Sequence, residues 1–132
     1  MVADGRPLAN NISDIRDAFN YAMAEWGQTG VPPKDLFARV VELGKSKDNS
    51  NANYLQCMAI SYFVVGNYVE ARNSVKLARS EIRLNPRRIF SAWRYLETAT
   101  NQFRADLDAI DSLINGSNML PAFIGRARNL FS

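Results

Sequence analysis

The residue types that most often perform catalysis or bind metals are scarce in this chain. Its 132 residues include no histidine and a single cysteine, Cys57. Histidine is the commonest general base and the commonest metal ligand, and one cysteine cannot build a structural zinc site. Cys57 lies in an apolar segment with no histidine to activate it, so we expect a structural role. No pair of carboxylates is placed persuasively for acid–base chemistry, and we therefore expect neither catalytic nor metal-binding residues.

Anion binding has only weak support in the sequence. Gly27 and Gly30 frame a short glycine-containing turn that lacks the Lys-Ser/Thr of a phosphate-binding loop. One helix and the residues that follow it carry a series of basic side chains: Lys76, Arg79, Arg83, Arg87 and Arg88. This series could bind a phosphate group or an acidic lipid, or it could be an ordinary solvated helix face. Interleaved exposed aromatics and a nucleic-acid reading motif are not evident. We expect a protein that is not an enzyme and has no cofactor and no nucleic-acid partner.

The composition predicts one all-α domain. The hydrophobic fraction is 47%, the formal net charge is +3, and no stretch of six or more residues alternates cleanly between apolar and polar. One cysteine allows no internal disulfide, which fits a reducing compartment. No run approaches the roughly 18 apolar residues that span a bilayer. We expect a soluble, cytoplasmic domain at residues 12–114, with a flexible arm at 1–11 and a tail at 115–132.

The first helical pair is predicted from caps and periodicity. Ser13 and Asp14 are good N-caps, and apolar residues recur at three- and four-residue spacing from Ile15 to Trp26. Gly27 and Gly30 end this helix. A second helix follows Pro32 and Pro33, with an apolar face comprising Leu36, Phe37, Val40, Val41 and Leu43. Gly44 and residues 45–53 are predicted to form a polar connection.

The stretch from Tyr54 to Ala78 predicts a second helical hairpin, turning at Gly66-Asn67. Small residues such as Ala59 and Ala71 stand where two helices must touch closely, which is typical of tetratricopeptide (TPR) repeats. Ala22 is the matching residue upstream, 37 residues before Ala59, close to the TPR period. We predict hairpins at 13–44 and 53–82, stacked as a TPR-like superhelical bundle.

A long C-terminal helix from Arg87 to Ile114 is predicted to cap this stack. Its apolar residues keep a three/four spacing: Ile89, Trp93, Leu96, Phe103, Leu107, Ile110 and Ile114. This stripe serves either as the cap or as a dimer seam. The part of this helix beyond about residue 100 is expected to extend past the stack. Its apolar residues would then be covered by the tail at 120–131 or by a second chain. The tail has a possible short helix at 122–131.

Two short phrases carry a more specific resemblance. Phe19-Asn20-Tyr21-Ala22 opens the first hairpin, and Tyr68-Val69-Glu70-Ala71 opens the second helix of the second hairpin. Over about residues 13–100 the chain resembles the cytosolic domain of the mitochondrial fission 1 protein family. The resemblance implies a tail-anchored, non-enzymatic adaptor on the outer mitochondrial and peroxisomal membranes, which recruits a dynamin-like GTPase or its adaptors.

The chain departs from this family at both ends. The family's additional N-terminal helix is missing or reduced to residues 1–11, and no transmembrane tail follows residue 114. We therefore expect membrane contact only through an anchor absent from this chain. The localisation implied is the cytoplasm, or the cytosolic face of the mitochondrial outer membrane.

A binding groove is predicted along the first helix of each hairpin, as the resemblance and the repeat geometry both imply. The predicted groove residues are Arg16, Phe19, Met23 and Trp26 in the first unit, and Asn53, Gln56, Ile60 and Phe63 in the second. Such a surface suits a helix or an extended peptide. The alternative is that Phe19 and Ile60 are core residues and that Asn53 and Gln56 are merely solvated.

Two other functions remain open at this point. The chain is alternatively a small TPR-like chaperone that shields a secretion or assembly subunit in an obligate complex, or a helical dimerisation module built through the long helix. The sequence leaves monomer and dimer open.

Overall fold

The computed structural model of the chain describes residues 6–45, 52–84 and 96–116. Within these ranges all regular structure is helical, and the predicted all-α class is confirmed. A 3-10 turn at Ala9–Asn11 precedes five helices: α1 (Ile15–Thr29), α2 (Lys34–Lys45), α3 (Ala52–Val64), α4 (Tyr68–Leu84) and α5 (Leu96–Ile114). The predicted beginning of the long helix at 87–95 and the predicted short helix at 122–131 lie outside the described residues.

Local signals define both ends of α1. The Asp14 carboxylate accepts hydrogen bonds from the backbone N–H groups of Arg16 (2.8 Å) and Asp17 (3.2 Å), which have no partner within the helix. At the other end Gly30 has a φ of 74° and donates its N–H to the carbonyl of Trp26 at 2.8 Å. A left-handed residue at this position favours glycine, so Gly30 rather than Gly27 ends the helix.

The first hairpin is held by aromatic packing between α1 and α2. Phe37 of α2 makes edge-to-face contacts with Phe19, at 6.4 Å between ring centroids, and with Trp26, at 5.7 Å. This geometry brings the positive edge of one ring to the negative face of another. All three rings are buried.

Helix α3 is enclosed on nearly all sides. Every residue from Leu55 to Ser61 is buried, because the helix is apolar around most of its circumference. It packs chiefly against α2 and α4, and less extensively against α5. Gly44 lies inside α2 rather than in a polar connection, and a Cβ built there would overlap the Met58 side chain. Because glycine has no Cβ, α2 and α3 can approach each other closely at Gly44.

Helices α4 and α5 run antiparallel. Arg79 of α4 pairs with Asp108 (2.7 Å) and Asp111 (3.1 Å) of α5, whereas Arg72, nearer the start of α4, reaches Asn115 at 3.5 Å. The α5 stripe that includes Phe103, Leu107 and Ile110 is buried within the same chain. The predicted overhang beyond residue 100 is therefore wrong for the described part of α5.

Residues 6–11 are placed against the first hairpin. The Arg6 guanidinium pairs with Glu25 of α1 (2.8 Å) and Asp35 of α2 (3.0 Å). The 3-10 turn packs on α2, and Arg39 Nε donates to the Ile12 carbonyl at 2.8 Å. The sequence predicts a flexible arm at 1–11, but these long-range contacts hold residues 6–11 in place; residues 1–5 lie outside the described ranges.

Candidate partner-binding surface

Five of the eight predicted groove residues lie in the interior. Phe19, Met23, Trp26, Gln56 and Ile60 are all buried. On α1 the cause is the contact of Phe19 and Trp26 with Phe37 inside the first hairpin. On α3 the cause is the enclosure of the helix by its neighbours. These five side chains are core residues in this structure, so the open groove predicted from them is not present.

The other three predicted groove residues do not form one surface. Arg16 is exposed at the start of α1, and Asn53 and Phe63 are partly exposed at opposite ends of α3. Ten residues of α-helix separate Asn53 from Phe63, which corresponds to about 15 Å along the axis. Phe63 belongs instead to an apolar surface at the turn between α3 and α4.

This apolar surface, here called the tip surface, consists of Phe63, Val65, Tyr68 and Val69. The last three residues are 38%, 48% and 74% exposed, and the rings of Phe63 and Tyr68 are in contact at 5.8 Å between centroids. All four lie within seven consecutive residues of a tight turn. Their clustering at one turn, with two of the rings in contact, distinguishes them from the scattered single apolar residues that are normal on any protein surface.

The turn that presents the tip surface is fixed by backbone hydrogen bonds. Gly66 has a φ of 88° and donates to the Phe63 carbonyl, and Asn67 donates to the Tyr62 carbonyl at 2.8 Å. The Asn67 side chain then accepts from the backbone N–H of Glu70 at 3.3 Å, which caps the start of α4. Glycine is favoured at position 66 because its φ lies in the left-handed region. These hydrogen bonds consequently define the backbone from which the tip side chains project.

Charged groups of both signs surround the tip surface. Glu70 is exposed beside it. Burial of the Tyr62 hydroxyl, together with the negative charge of the nearby Glu70, raises the pKa of Tyr62. Arg72 and Lys76 are exposed further along α4. The patch is thus apolar at its centre and charged at its margin, as protein-binding surfaces commonly are.

The other exposed apolar residues do not extend this patch. Leu8, Tyr21 and Val31 belong to the N-terminal segment and the first hairpin, and Leu77 lies two helical turns along α4. They are useful as matched control positions, because they are similarly exposed but belong to other parts of the surface.

The residues considered for chemistry have mainly structural roles. Cys57 is buried, and burial raises the pKa of its thiol well above the ordinary value, so the neutral form is favoured. Arg79, from the predicted basic series, is engaged by Asp108 and Asp111. Arg87, Arg88 and the side chain of Arg83 lie outside the description. Across the described ranges, no group of three or more acidic or cysteine side chains is arranged to hold a metal ion.

Comparisons of the chain with protein-family models, with curated proteins and with solved structures give no match. Among the described residues, no helix combines the length and apolarity needed to cross a membrane.

Sequence reasoning missed three of the four tip residues, Val65, Tyr68 and Val69. The signal was present, because two valines and a tyrosine flank a Gly-Asn turn where polar residues are the rule. The repeat geometry instead predicted a groove along the first helix of each hairpin.

Proposed function

We propose that the chain is a non-enzymatic adaptor whose protein partner docks on the tip surface. The observation that carries this proposal is the exposure of Val65, Tyr68 and Val69 at one turn, beside the half-buried Phe63. A TPR-like stack is the proposed scaffold. Two findings support it: the helices pack in chain order, and Ala22 and Ala59, 37 residues apart, are both fully buried.

The chemistry of the tip surface suits a short helix or an extended peptide. Aromatic side chains contribute large contact areas with few rotatable bonds, and the Tyr68 hydroxyl adds a polar group. Four residues cover only part of a standard interface, which buries about 800 Å² on each partner. We therefore propose a partner segment that adds contacts along α4 and binds with micromolar rather than nanomolar affinity.

The resemblance to the fission 1 family suggests which partner to test first. Tyr68 and Val69 belong to the Tyr-x-x-Ala phrase on which the resemblance rests; Ala71 of that phrase is buried, whereas Tyr68 and Val69 are exposed. The phrase thus combines one packing residue with two available for contact. A dynamin-like GTPase or one of its adaptors is the proposed partner, and a site at the mitochondrial or peroxisomal surface is proposed with it.

Calorimetric titration of the purified chain with dynamin-like GTPases and with their adaptors tests this proposal. The double variant Tyr68→Ser with Val69→Ser is expected to weaken binding at least tenfold. The matched double variant Tyr21→Ser with Val31→Ser, at exposed positions away from the tip, is expected to leave binding unchanged. Equal weakening by the two double variants would refute the tip surface as the site, and the absence of binding to any of these proteins would refute the proposed partner class.

The dimer hypothesis loses its main motivation. The apolar residues of α5 from Phe103 to Ile114 are already covered within one chain, so the described part of this helix leaves no apolar stripe for a second copy. A monomeric mass by light scattering at micromolar concentration is expected. The chaperone hypothesis predicts a stoichiometric client that remains bound through purification, which the same measurement would detect.

A further inference from the structure

The end of α5 lies beside the tip surface. Arg72 Nη2 is 3.5 Å from Asn115 Oδ1, and Arg72 is one helical turn from Tyr68. The antiparallel course of α4 and α5 brings this about, since it returns the last turn of α5 to the beginning of α4. Gly116, with a φ of 92°, ends the helix and donates to the Leu113 carbonyl at 3.1 Å. The chain therefore leaves α5 close to the tip surface.

The residues that follow are chemically suited to an apolar surface. Residues 117–132 contain no acidic side chain and two arginines, and their large apolar side chains are Met119, Leu120, Phe123, Ile124, Leu130 and Phe131. Leaving such side chains in water is unfavourable by about 1.5–3 kcal/mol each. Glu70, exposed beside the tip surface, has the charge opposite to that of Arg126 and Arg128.

Attachment to α5 favours this segment over a second copy of the chain. Sixteen residues can span up to about 50 Å, whereas Asn115 contacts Arg72, which is only one helical turn from Tyr68 of the tip surface. A short tether gives an effective concentration of order millimolar, about a thousandfold above a second chain at micromolar concentration. A contact whose dissociation constant lies between these two concentrations is mostly occupied in the first case and mostly unoccupied in the second.

We propose that residues 117–132 dock on the tip surface and cover it until a partner displaces them. The docking itself requires no partner; only the displacement step rests on the proposed function. The segment would then set the threshold for partner binding, because the partner must compete with an occupant that is always present.

Photo-crosslinking in the full chain tests the docking. Tyr68→p-benzoylphenylalanine places a photoreactive ring on the tip surface, and Tyr21→p-benzoylphenylalanine is the control at a similarly exposed tyrosine. On irradiation without any partner, the Tyr68 probe is expected to form an adduct with residues 117–132 at the mass of a single chain, and the Tyr21 probe is not. Phe123→Asp together with Ile124→Asp is expected to reduce the adduct at least fivefold.

Other outcomes would overturn the inference. These are an adduct of the Tyr68 probe to any other region, an adduct between two chains, no adduct, or an equal adduct from the Tyr21 probe. If one of these outcomes is found while the chain still binds the GTPase or its adaptor, the docking proposal is refuted and the proposed function is not. The expected adduct without any such binding supports docking and refutes only the proposed partner class.

Discussion

Arg6 Nε lies 2.8 Å from Glu25 Oε1, and only 6% and 3% of the two side chains is exposed. The same guanidinium reaches Asp35 at 3.0 Å. Burial disfavours the charged guanidinium, but the hydrogen bonds and charges of Asp35 and Glu25 outweigh it, so the pKa of Arg6 is raised above its ordinary value. One side chain thus joins the segment before α1 to both helices of the first hairpin.

Arg6→Met is expected to destabilise the protein by about 1.5–3 kcal/mol, the range for hydrogen bonds to charged groups. The substitution leaves the buried Glu25 carboxylate without its guanidinium, while methionine keeps much of the apolar volume. Urea unfolding at pH 7 measures the effect. Glu42→Gln is the control, because it removes an exposed pair with Arg39 and should change stability by less than about 0.5 kcal/mol. Equal effects of the two substitutions would contradict a structural role for Arg6.

Gln56→Met is expected to stabilise the protein by about 1–3 kcal/mol, because it removes the desolvation penalty of an unsatisfied buried amide. The Gln56 side chain is fully buried, and neither its Oε1 nor its Nε2 has a hydrogen-bond partner among the described residues. Methionine has a similar shape and no such polar atoms. Ser61→Ala is the matched control on the same helix, because Ser61 Oγ is satisfied by the Cys57 carbonyl at 2.8 Å. Thermal unfolding that shows Gln56→Met to be destabilising would mean that the amide is bonded in solution.

Gly66→Ala is expected to cost about 1–2 kcal/mol, because an alanine at a φ of 88° has the left-handed conformation that L-residues avoid. Open space surrounds the position, so the cost reflects backbone conformation rather than a clash. Gly66→Asn should cost less, since asparagine tolerates this region. Chemical denaturation of the two variants gives the comparison, and an equal loss in both would argue for a steric cause.

Cys57 is expected to make stability fall at alkaline pH. Its raised native pKa means that the unfolded chain loses the thiol proton first, so the free energy of unfolding decreases as pH rises above about 9.0, the usual thiol pKa. Tyr62 adds an effect of the same sign above about pH 10.0. Between these two pH values, Cys57→Ala should make the free energy of unfolding depend less steeply on pH. The reduction in slope corresponds to the release of at most one proton on unfolding. An unchanged slope would show that the thiol ionises equally in both states.

Local signals predicted most of the fold. Asp14 caps α1, Gly30 ends it and Gly66 turns the second hairpin, because each effect depends on residues within one helical turn. Ala22 and Ala59 are buried as the repeat spacing predicted. The TPR-like superhelix and the fission 1 resemblance stay predictions.

Long-range relationships were not predictable in the same way. Arg6 is 19 residues from Glu25 and 29 from Asp35, so no local pattern indicated that it would be held in place. The groove assignment failed at Gln56 and Ile60 because periodicity identifies a buried face but does not say how many neighbours a helix has. The high apolar content of α3 around most of its circumference indicates a central helix.

The enclosure of α3 has a consequence for how the molecule opens. Its backbone amides lie between α2, α4 and α5, so their hydrogens can exchange with solvent only when several helices separate together. The amides of α3 should therefore exchange last, at the rate set by global unfolding, whereas those beside Gly66 exchange through smaller openings. Transient loosening at the turn would in that case leave the centre of the protein intact.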